Sequence, residues 1–191
     1  MLLERFKFEI TGVSPLLMHN AASMAPRDPG ALKGAKKPYA LDSLEPLMYI
    51  NAAGNLFIPS AAFRNAMIAG SKGRKIGKVG AAGVIAGSVF PAGDEVALLD
   101  PKTKKPLTPA SVVEDRRSAV NNNCKPPARI IAIRPRLNAW SCTLELEIDT
   151  TLINIEVVSE ILQIAGKIIG VGAFRVEKKG TFGRFDAKLA K

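Results

Sequence analysis

The C-terminal quarter of the chain constrains the fold most, because it joins two alternating strands through one strongly amphipathic helix. Residues 141–149 alternate apolar with polar side chains, which is typical of a strand with one buried face. Residues 155–169 carry apolar side chains at helical spacing, so we predict a helix that Asn154 caps and Gly170 ends. A second alternating strand is predicted over residues 183–189. This order favours an α+β domain.

The same patterns continue towards the N-terminus. Residues 3–10 alternate like a strand, and a helix is predicted to begin at Ser60, as its cap, and to end at Gly70. With two insertions set aside, the order of elements is βαββαβ, that of the ferredoxin-like or RRM-like fold. We therefore predict one domain over residues 1–191, with a long loop inserted at about 20–46 and a protruding arm at about 100–136.

The charge of the chain favours a polyanionic partner. Lys and Arg number 27 against 17 Asp and Glu, a net charge of +10, which suits nucleic acid or an anionic membrane surface. No apolar run reaches the roughly 18 residues of a spanning helix, and the N-terminus lacks a signal-peptide pattern. We therefore expect a cytoplasmic protein with no membrane partner, while a basic protein without a polyanionic partner stays an alternative.

Most enzyme motifs are absent. The chain has one histidine and two cysteines, Cys124 and Cys142, without CxxC spacing, so neither a zinc ribbon nor a histidine-rich metal site is available. It has no P-loop and no dinucleotide-binding fingerprint. We expect no metal and no cofactor.

The most specific motif is the glycine-rich segment GVGAFRVEKKGTFGRF, residues 170–185. Its glycines allow positive φ and close backbone approach, its cations can pair with phosphates, and its two phenylalanines can stack on bases. An ordinary helix end followed by a turn with solvated lysines is the alternative. The candidate RNA-binding residues here are Gly170, Gly172, Phe174, Arg175, Lys178, Lys179 and Arg184, with Phe182 as the second stacking ring.

Two other basic segments carry candidate RNA-binding residues. The N-terminus of the helix that starts at Ser60 is suited to bind an anion, and the inserted arm is suited to clamp phosphates. An ordinary core helix and a solvated hairpin are the alternatives. The candidates are Ser60, Arg64, Lys72, Arg74 and Lys75 around the helix, and Arg116, Arg117, Arg129, Arg134 and Arg136 in the arm, with Arg116 and Arg117 near its tip.

Several of these segments resemble the RAMP superfamily of CRISPR-associated proteins. Ile58-Pro59-Ser60 resembles the start of its IPGSSLKGALR signature, residues 170–184 resemble its GxGxxxxxGxGR loop, and the first strand followed by residues 13–16 is similar to its opening. The closest type is the backbone subunit of Cascade-like and type III effectors (the seventh Cas family), of which this chain would be a minimal or phage-encoded relative.

The resemblance implies an RRM-like palm with a β-hairpin thumb. Ser60, Arg64 and the glycine-rich segment would line the palm, and the arm with Arg116 and Arg117 would be the thumb. The implied function is an RNA-binding backbone subunit that polymerises along guide RNA and presents it for target pairing. Its partners would be guide RNA (crRNA), target nucleic acid, further copies of itself in a filament and other Cas subunits.

No catalytic residue is assigned from the sequence. His19 lies just after the first strand, where related repeat-processing nucleases often place a general base, and Asp28 and Asp42 lie in the loop where type III backbone subunits carry a slicing aspartate. A loop histidine and turn aspartates are the alternatives. Three other functions stay open: an endoribonuclease that uses His19, a phage-borne decoy that inhibits a host effector through protein contacts, and a single-strand binder in phage recombination.

Overall fold

The computed structural model describes residues 2–20, 44–121, 126 and 128–190. Over these ranges the chain is a mixed α/β protein with three α-helices and several antiparallel sheets, which agrees with the predicted α+β class. The strands are β1 (Leu3–Gly12), β2 (Leu16–Leu17), β3 (Phe57–Pro59), β4 (Lys75–Ile76), β5 (Val79–Gly80), β6 (Val89–Pro91), β7 (Glu95–Ala97), β8 (Val113–Asn121), β9 (Ala128–Leu137), β10 (Ser141–Asp149) and β11 (Phe185–Leu189). The α-helices are α1 (Ala61–Gly70), α2 (Ala81–Ser88) and α3 (Ile155–Ile168), and short 3₁₀ helices cover Glu45–Leu47, Pro109–Ser111 and Val176–Lys178.

A four-stranded sheet forms the centre, in the order β11-β1-β10-β6 with every neighbouring pair antiparallel. Phe8 lies opposite Leu144, and Ile10 lies opposite both Cys142 and Ala187. These side chains are buried on one face of the sheet, because alternate residues of a strand point the same way. The alternation of residues 3–10 and 141–149 therefore predicted both strands and the buried face.

Helices α1 and α3 cover this apolar face. They approach closely, since a Cβ atom on Gly70 of α1 would lie 3.2 Å from Cα of Ala165 in α3. The ring of Phe63 packs 5.4 Å from that of Phe185 in β11. No helix in the described ranges is long and apolar enough to span a membrane.

Neither predicted cap acts through its side chain. Ser60 already has helical dihedrals, φ −59° and ψ −30°, so its hydroxyl is not placed to accept from the first amides of α1. Its own N–H donates to the carbonyl of Asp94, at 2.9 Å. Asn154 has the extended backbone of a cap, but its side chain forms no capping hydrogen bond.

A second sheet, in the order β2-β9-β8, contains the predicted arm as an antiparallel hairpin. We call β8 and β9 the arm hairpin. Leu16 and Leu17 of β2 pair with Leu137 and Arg136 at its base. Most of the predicted loop insertion, residues 21–43 with Asp28 and Asp42, lies outside the described residues.

The predicted position of two arginines in the arm hairpin is wrong. Arg116 lies opposite Ile133 and Arg117 opposite Ala132, in the middle of the paired strands, whereas the last described pair is Asn121 with Ala128. Strand β8 continues past these arginines to Asn121, and β9 begins at Ala128, so both arginines lie well inside the hairpin.

Candidate nucleic-acid interface

A cleft of about 500 Å³ opens where α1 begins and α3 ends. Residues 169–173 form one side, and small residues of the first turns of α1 form another. Its lining is completed by residues 16–19, at β2 and just after it, and by Tyr49. The polar side chains that line it are those of His19, Tyr49, Asn65, Arg175 and Glu177.

The glycines of the glycine-rich loop, residues 170–184, are required by close contacts within the protein. Gly170, Gly172 and Gly183 have φ of 75°, 79° and 67°, in the region that favours glycine. A Cβ atom would lie 2.5 Å from the carbonyl oxygen of Leu17 if added to Gly172, and 1.6 Å from that of Phe174 if added to Gly180. The predicted positive φ and close approach are thus present, and what these glycines approach is the chain's own backbone.

The cations of the loop divide into two groups. Arg175 forms an ion pair with Glu177 at 2.6 Å and donates a hydrogen bond to the carbonyl of Gly172. The second group is Lys178, Lys179 and Arg184. All three are exposed, and none forms an ion pair with a described residue. Because Arg175 and Glu177 line the cleft, the two lysines lie directly beside it along the chain.

The aromatic residues of the loop are covered by an arginine. The ring of Phe182 is 8% exposed, and the guanidinium carbon of Arg117 lies 4.4 Å from its centre. The same guanidinium lies 5.4 Å from the centre of the Phe174 ring. The expectation that Phe182 stacks on a base is therefore wrong for this conformation, because an arginine of the arm hairpin occupies its face.

The two adjacent arginines of β8 have different surroundings. Arg116 points outward, with 66% of its side chain exposed, and pairs with Glu114. Arg117 points toward the loop and holds Asp115 through both carboxylate oxygens, with Nη2 2.7 Å from Oδ2. Asp115 is buried, and the hydrogen bond from Arg117 lowers the pKa of its carboxyl below the ordinary value.

The arginines of β9 also differ. Arg136 lies 3.7 Å from the carboxylate of Asp115, so it supports the same buried group as Arg117. Arg134 is half-buried and donates to the carbonyl of Ile133, and burial lowers the pKa of its guanidinium. Arg129 is exposed.

Arg64 and Ser60 do not line the cleft, although both were candidates. The Nε of Arg64 donates to the carbonyl of Val89 at 2.9 Å, its Nη2 donates to that of Ala86, and its guanidinium lies over the ring of Phe90. Arg64 therefore holds α1 to the last turn of α2 and to β6. Ser60 is buried at the start of α1.

The candidates Lys72, Arg74 and Lys75 lie away from the cleft. They belong to residues 71–80, a short hairpin of β4 and β5 that we call the basic wing. The wing follows the C-terminal end of α1, whereas the α1 residues that line the cleft end at Ala66, so about 6 Å of helix separates them. Arg74 forms an exposed ion pair with Glu160 at 2.8 Å.

His19 lines the cleft and is half-buried. Burial, and to a lesser degree the positive charge of Arg134, lowers the pKa of its imidazole below the ordinary value. Its backbone carbonyl accepts a hydrogen bond from the Tyr49 hydroxyl at 3.1 Å. Among the described residues, no three His, Cys, Asp or Glu side chains come together in a way that would hold a metal ion.

Three polar residues of the cleft were not identified from the sequence. Tyr49, Asn65 and Glu177 come from three separate segments. Asn65 stands one turn after Ala61 on α1, so the helical period predicts that they share a face once the helix is known. No pattern in the sequence indicates that Tyr49 reaches the same place.

The fold can be compared with known proteins. No family model matches the sequence, and no curated protein matches it. The structure is similar to a chain of the type III-B Cmr-beta complex bound to cognate target RNA, with a TM-score of 0.54 and 13% identity over 98% of this chain and 60% of that one. It is also similar to Cmr6 from Pyrococcus furiosus, with a TM-score of 0.50 and 11% identity over 98% of this chain and 100% of that one.

This chain shares the fold of both structures. It spans 60% of the length of the Cmr-beta chain that it matches, and the full length of Cmr6. At identities of 13% and 11% the likeness concerns the fold alone.

Proposed function

We propose that this chain is an RNA-binding subunit of a CRISPR effector ribonucleoprotein, a RAMP-type protein with a ferredoxin-like palm and a β-hairpin thumb. The sheet order β11-β1-β10-β6, with α1 and α3 on one face, supports the palm, because a βαββαβ chain pairs its last strand with its first. The arm hairpin supports the thumb. The fold shared with Cmr6 and with a chain of an RNA-bound Cmr-beta complex supports RNA and other Cas subunits as partners.

The observation that carries the proposal is the cleft beside cations of the glycine-rich loop that form no ion pair within the described part of the chain. Single-stranded RNA is bound by grooves that combine positive charge for the phosphates with apolar or aromatic surface for the bases. Lys178, Lys179 and Arg184 supply the charge, and cleft residues that keep exposed area, among them Tyr49, Ala61 and Ala62, supply the surface. Because cations contact phosphates rather than base edges, the binding is expected to be largely independent of sequence.

The charges on the outer face of the central sheet favour the cleft beside the glycine-rich loop as the RNA site. We call this the open sheet face, the side of the sheet opposite α1 and α3. Arg5 pairs there with Glu147 at 2.8 Å, and Lys7 pairs with Glu145 at 2.9 Å. These carboxylates neutralise the cations, so the face has little attraction for RNA. This face is better suited to contact a protein. In a filament of copies along one RNA, each copy needs a face that contacts its neighbour.

The test is the affinity for single-stranded RNA as a function of salt. On a single strand, log K falls by about 0.7 per neutralised phosphate for each decade of salt, so the double variant Lys178→Ala/Lys179→Ala should lose about 1.4 from the slope. The matched control is Lys7→Ala/Lys188→Ala, which removes the same charge from the open sheet face. We expect the control to keep the wild-type slope. Equal losses in the two double variants would contradict the proposed site.

One observation favours a second candidate function, an endoribonuclease. His19 lines the cleft, and its lowered pKa keeps the imidazole neutral near pH 7, as a general base requires. Cleavage of a hairpin RNA by the wild-type protein, abolished in His19→Ala, would support it. Intact RNA after prolonged incubation with wild-type protein would exclude it.

A further inference from the structure

We infer that Arg117 is a positioning residue, which fixes the arm hairpin against the glycine-rich loop so that both present their cations to one RNA strand. The inference rests on the proposed RNA-binding function. It differs from the sequence-based expectation, in which Arg117 itself contacts phosphate. Three observations carry it: the partners of the guanidinium, the backbone of Phe174 and the attachment of the hairpin.

The guanidinium of Arg117 is occupied on its edge and on its face. Nε and Nη2 donate to the two carboxylate oxygens of Asp115, and the face lies 4.4 Å from the centre of the Phe182 ring. Two parallel hydrogen bonds and one stacked ring fix a planar guanidinium more tightly than either alone. The hydrogen bond with Asp115 also raises the pKa of Arg117 above its ordinary value. These contacts use two of its three nitrogens and one face, and 33% of the side chain is exposed.

Asp115 anchors this arrangement within the hairpin. Its side chain is only 6% exposed, and a buried carboxylate is tolerated where cations pair with it. Arg117 and Arg136 supply the pair from neighbouring strands, β8 and β9. The hairpin therefore sets the orientation of Arg117. The edge of the guanidinium binds Asp115, and its face is directed to the loop.

The loop holds its rings in place by an unusual backbone. Phe174 has φ of 50°, in the left-handed region, which is an outlier for a bulky residue. Such a conformation persists where the surroundings fix it. The carbonyl of Phe174 accepts from the N–H of Phe182 at 3.2 Å, and Gly180 has no Cβ to obstruct this approach. Both rings thereby face the same guanidinium, and we call Asp115, Arg117, Phe174 and Phe182 the latch.

The latch supplements a short attachment at the base of the hairpin. Strand β2 joins β9 through two residue pairs, and Leu17 of β2 accepts a hydrogen bond from the loop at Ala173. The latch adds a second connection further along β8. Because the exposed Arg116 lies on the hairpin and Lys179 on the loop, the latch determines how these two cations are placed relative to each other.

The test compares lysine substitutions at two arginines that each pair with a carboxylate, Arg117 in the arm hairpin and Arg5 on the open sheet face. Lysine keeps the charge but loses the planar fork and the stacking face. If Arg117 positions the loop, Arg117→Lys should lose RNA affinity roughly tenfold, the scale of one lost cation contact, and nearly as much as Arg117→Ala. The control Arg5→Lys, which alters the arginine–carboxylate pair with Glu147 on the open sheet face, should bind like wild type. Near-wild-type binding by Arg117→Lys would overturn the inference.

A second measurement separates positioning from a general loss of stability. In the Arg117→Lys background, Lys178→Ala/Lys179→Ala should cost less affinity than in wild type, because the loop cations are already misplaced. The same fractional loss in both backgrounds would overturn the inference. All variants are compared below their unfolding temperatures, and Phe182→Leu, which keeps apolar bulk without a ring, should reproduce Arg117→Lys.

A measurement without RNA distinguishes the failure of the inference from the failure of the proposed function. The amide of Phe182 should exchange its hydrogen faster in Arg117→Lys than in wild type or Arg5→Lys, because its hydrogen bond to Phe174 depends on the latch. Unchanged exchange overturns the latch whatever the RNA result. Absence of RNA binding by the wild-type protein overturns the proposed function and, with it, the role of Arg117 in RNA binding.

Discussion

The carbonyl oxygen of Val171 lies 1.7 Å from the point where a Cβ atom would stand on Gly183. The same two residues are joined by a hydrogen bond of 2.9 Å from the Val171 N–H to the Gly183 carbonyl, and Gly183 donates in turn to the carbonyl of Pro15. Gly183 also has a φ of 67°, which glycine adopts without strain and other residues do not. Only glycine therefore fits at this position. The close packing of Val171, which lines the cleft, against residue 183 therefore requires that this residue has no side chain.

We predict that Gly183→Ala lowers both stability and RNA affinity. The strained backbone alone should cost about 1–3 kcal/mol of the free energy of unfolding, measured by urea titration. The control is Gly83→Ala in α2, where no atom lies within 4 Å of the added Cβ and where alanine should stabilise by up to about 1 kcal/mol. If Gly183→Ala were as stable as this control, the close contact at the loop would be refuted.

The basic wing should contribute to RNA binding only when the RNA is long. Lys72, Lys75 and Lys78 are exposed and lie past the far end of α1 from the cleft. We predict that their triple alanine variant weakens binding of an RNA of about 16 nucleotides and leaves one of about 4 nucleotides unaffected, these being the limits of common single-strand site sizes. Lys178→Ala/Lys179→Ala should weaken both. An equal loss on the short RNA would mean that wing and cleft form one site.

The single histidine of the chain allows a direct test of the cleft by NMR titration. Because the pKa of His19 in the folded protein lies below the ordinary value of about 6.5, the unfolded chain binds this proton first as pH falls. The free energy of unfolding should therefore fall as the pH is lowered from about 6.5 to the folded-state pKa of His19. The substitution His19→Asn should remove this pH dependence. Burial of the imidazole, and to a lesser degree the positive charge of Arg134, set this lowered pKa.

Bound RNA should raise the pKa of His19, opposite to the lowering in the free protein. A phosphate in the cleft favours the protonated imidazole, so we predict a higher pKa in the complex than in the free protein. The NMR titration is repeated at saturating RNA, with the loop variant Lys178→Ala/Lys179→Ala as control. An unchanged pKa in a saturated complex would place the phosphates elsewhere.

Arg64 should be required for stability rather than for RNA. Arg64→Ala leaves the carbonyls of Ala86 and Val89 without their donor, so we expect a loss of about 1–3 kcal/mol in unfolding free energy. Arg74→Ala, which removes one exposed ion pair, should cost no more than about 1 kcal/mol. RNA affinity of folded Arg64→Ala should stay near wild type. A large loss of affinity at unchanged stability would restore the RNA contact that the sequence indicated.

The central strands and α3 could be predicted because their patterns are local. Period-two alternation places Phe8 and Ile10 inside, and the apolar spacing of residues 155–169 matches the helix that ends at Ile168. The positive φ of the loop glycines could be predicted for the same reason, because it depends on the type of a single residue. Which atoms Gly172 and Gly183 approach depends on how the loop folds back on β2.

The roles of the arginines could not be predicted from clustering alone. Arg116 and Arg117 are adjacent and alike in sequence, but a strand directs them to opposite faces, one to solvent and one to Phe182. Arg64 reaches the end of α2, and the basic wing lies at the far end of α1, through packing that no local pattern encodes. The candidates Asp28 and Asp42 lie outside the described residues, so their roles stay predictions.

The most direct test of the central claim is the nucleic acid that accompanies the protein from cells that also express a CRISPR array. Protein purified at moderate salt should carry nuclease-protected RNA of discrete length with repeat sequence, on a particle larger than one 20.4 kDa chain. Lys178→Ala/Lys179→Ala should carry less of this RNA, and Lys7→Ala/Lys188→Ala should carry as much as wild type. Recovery of an RNA-free monomer from cells in which the guide RNA is abundant would contradict the account.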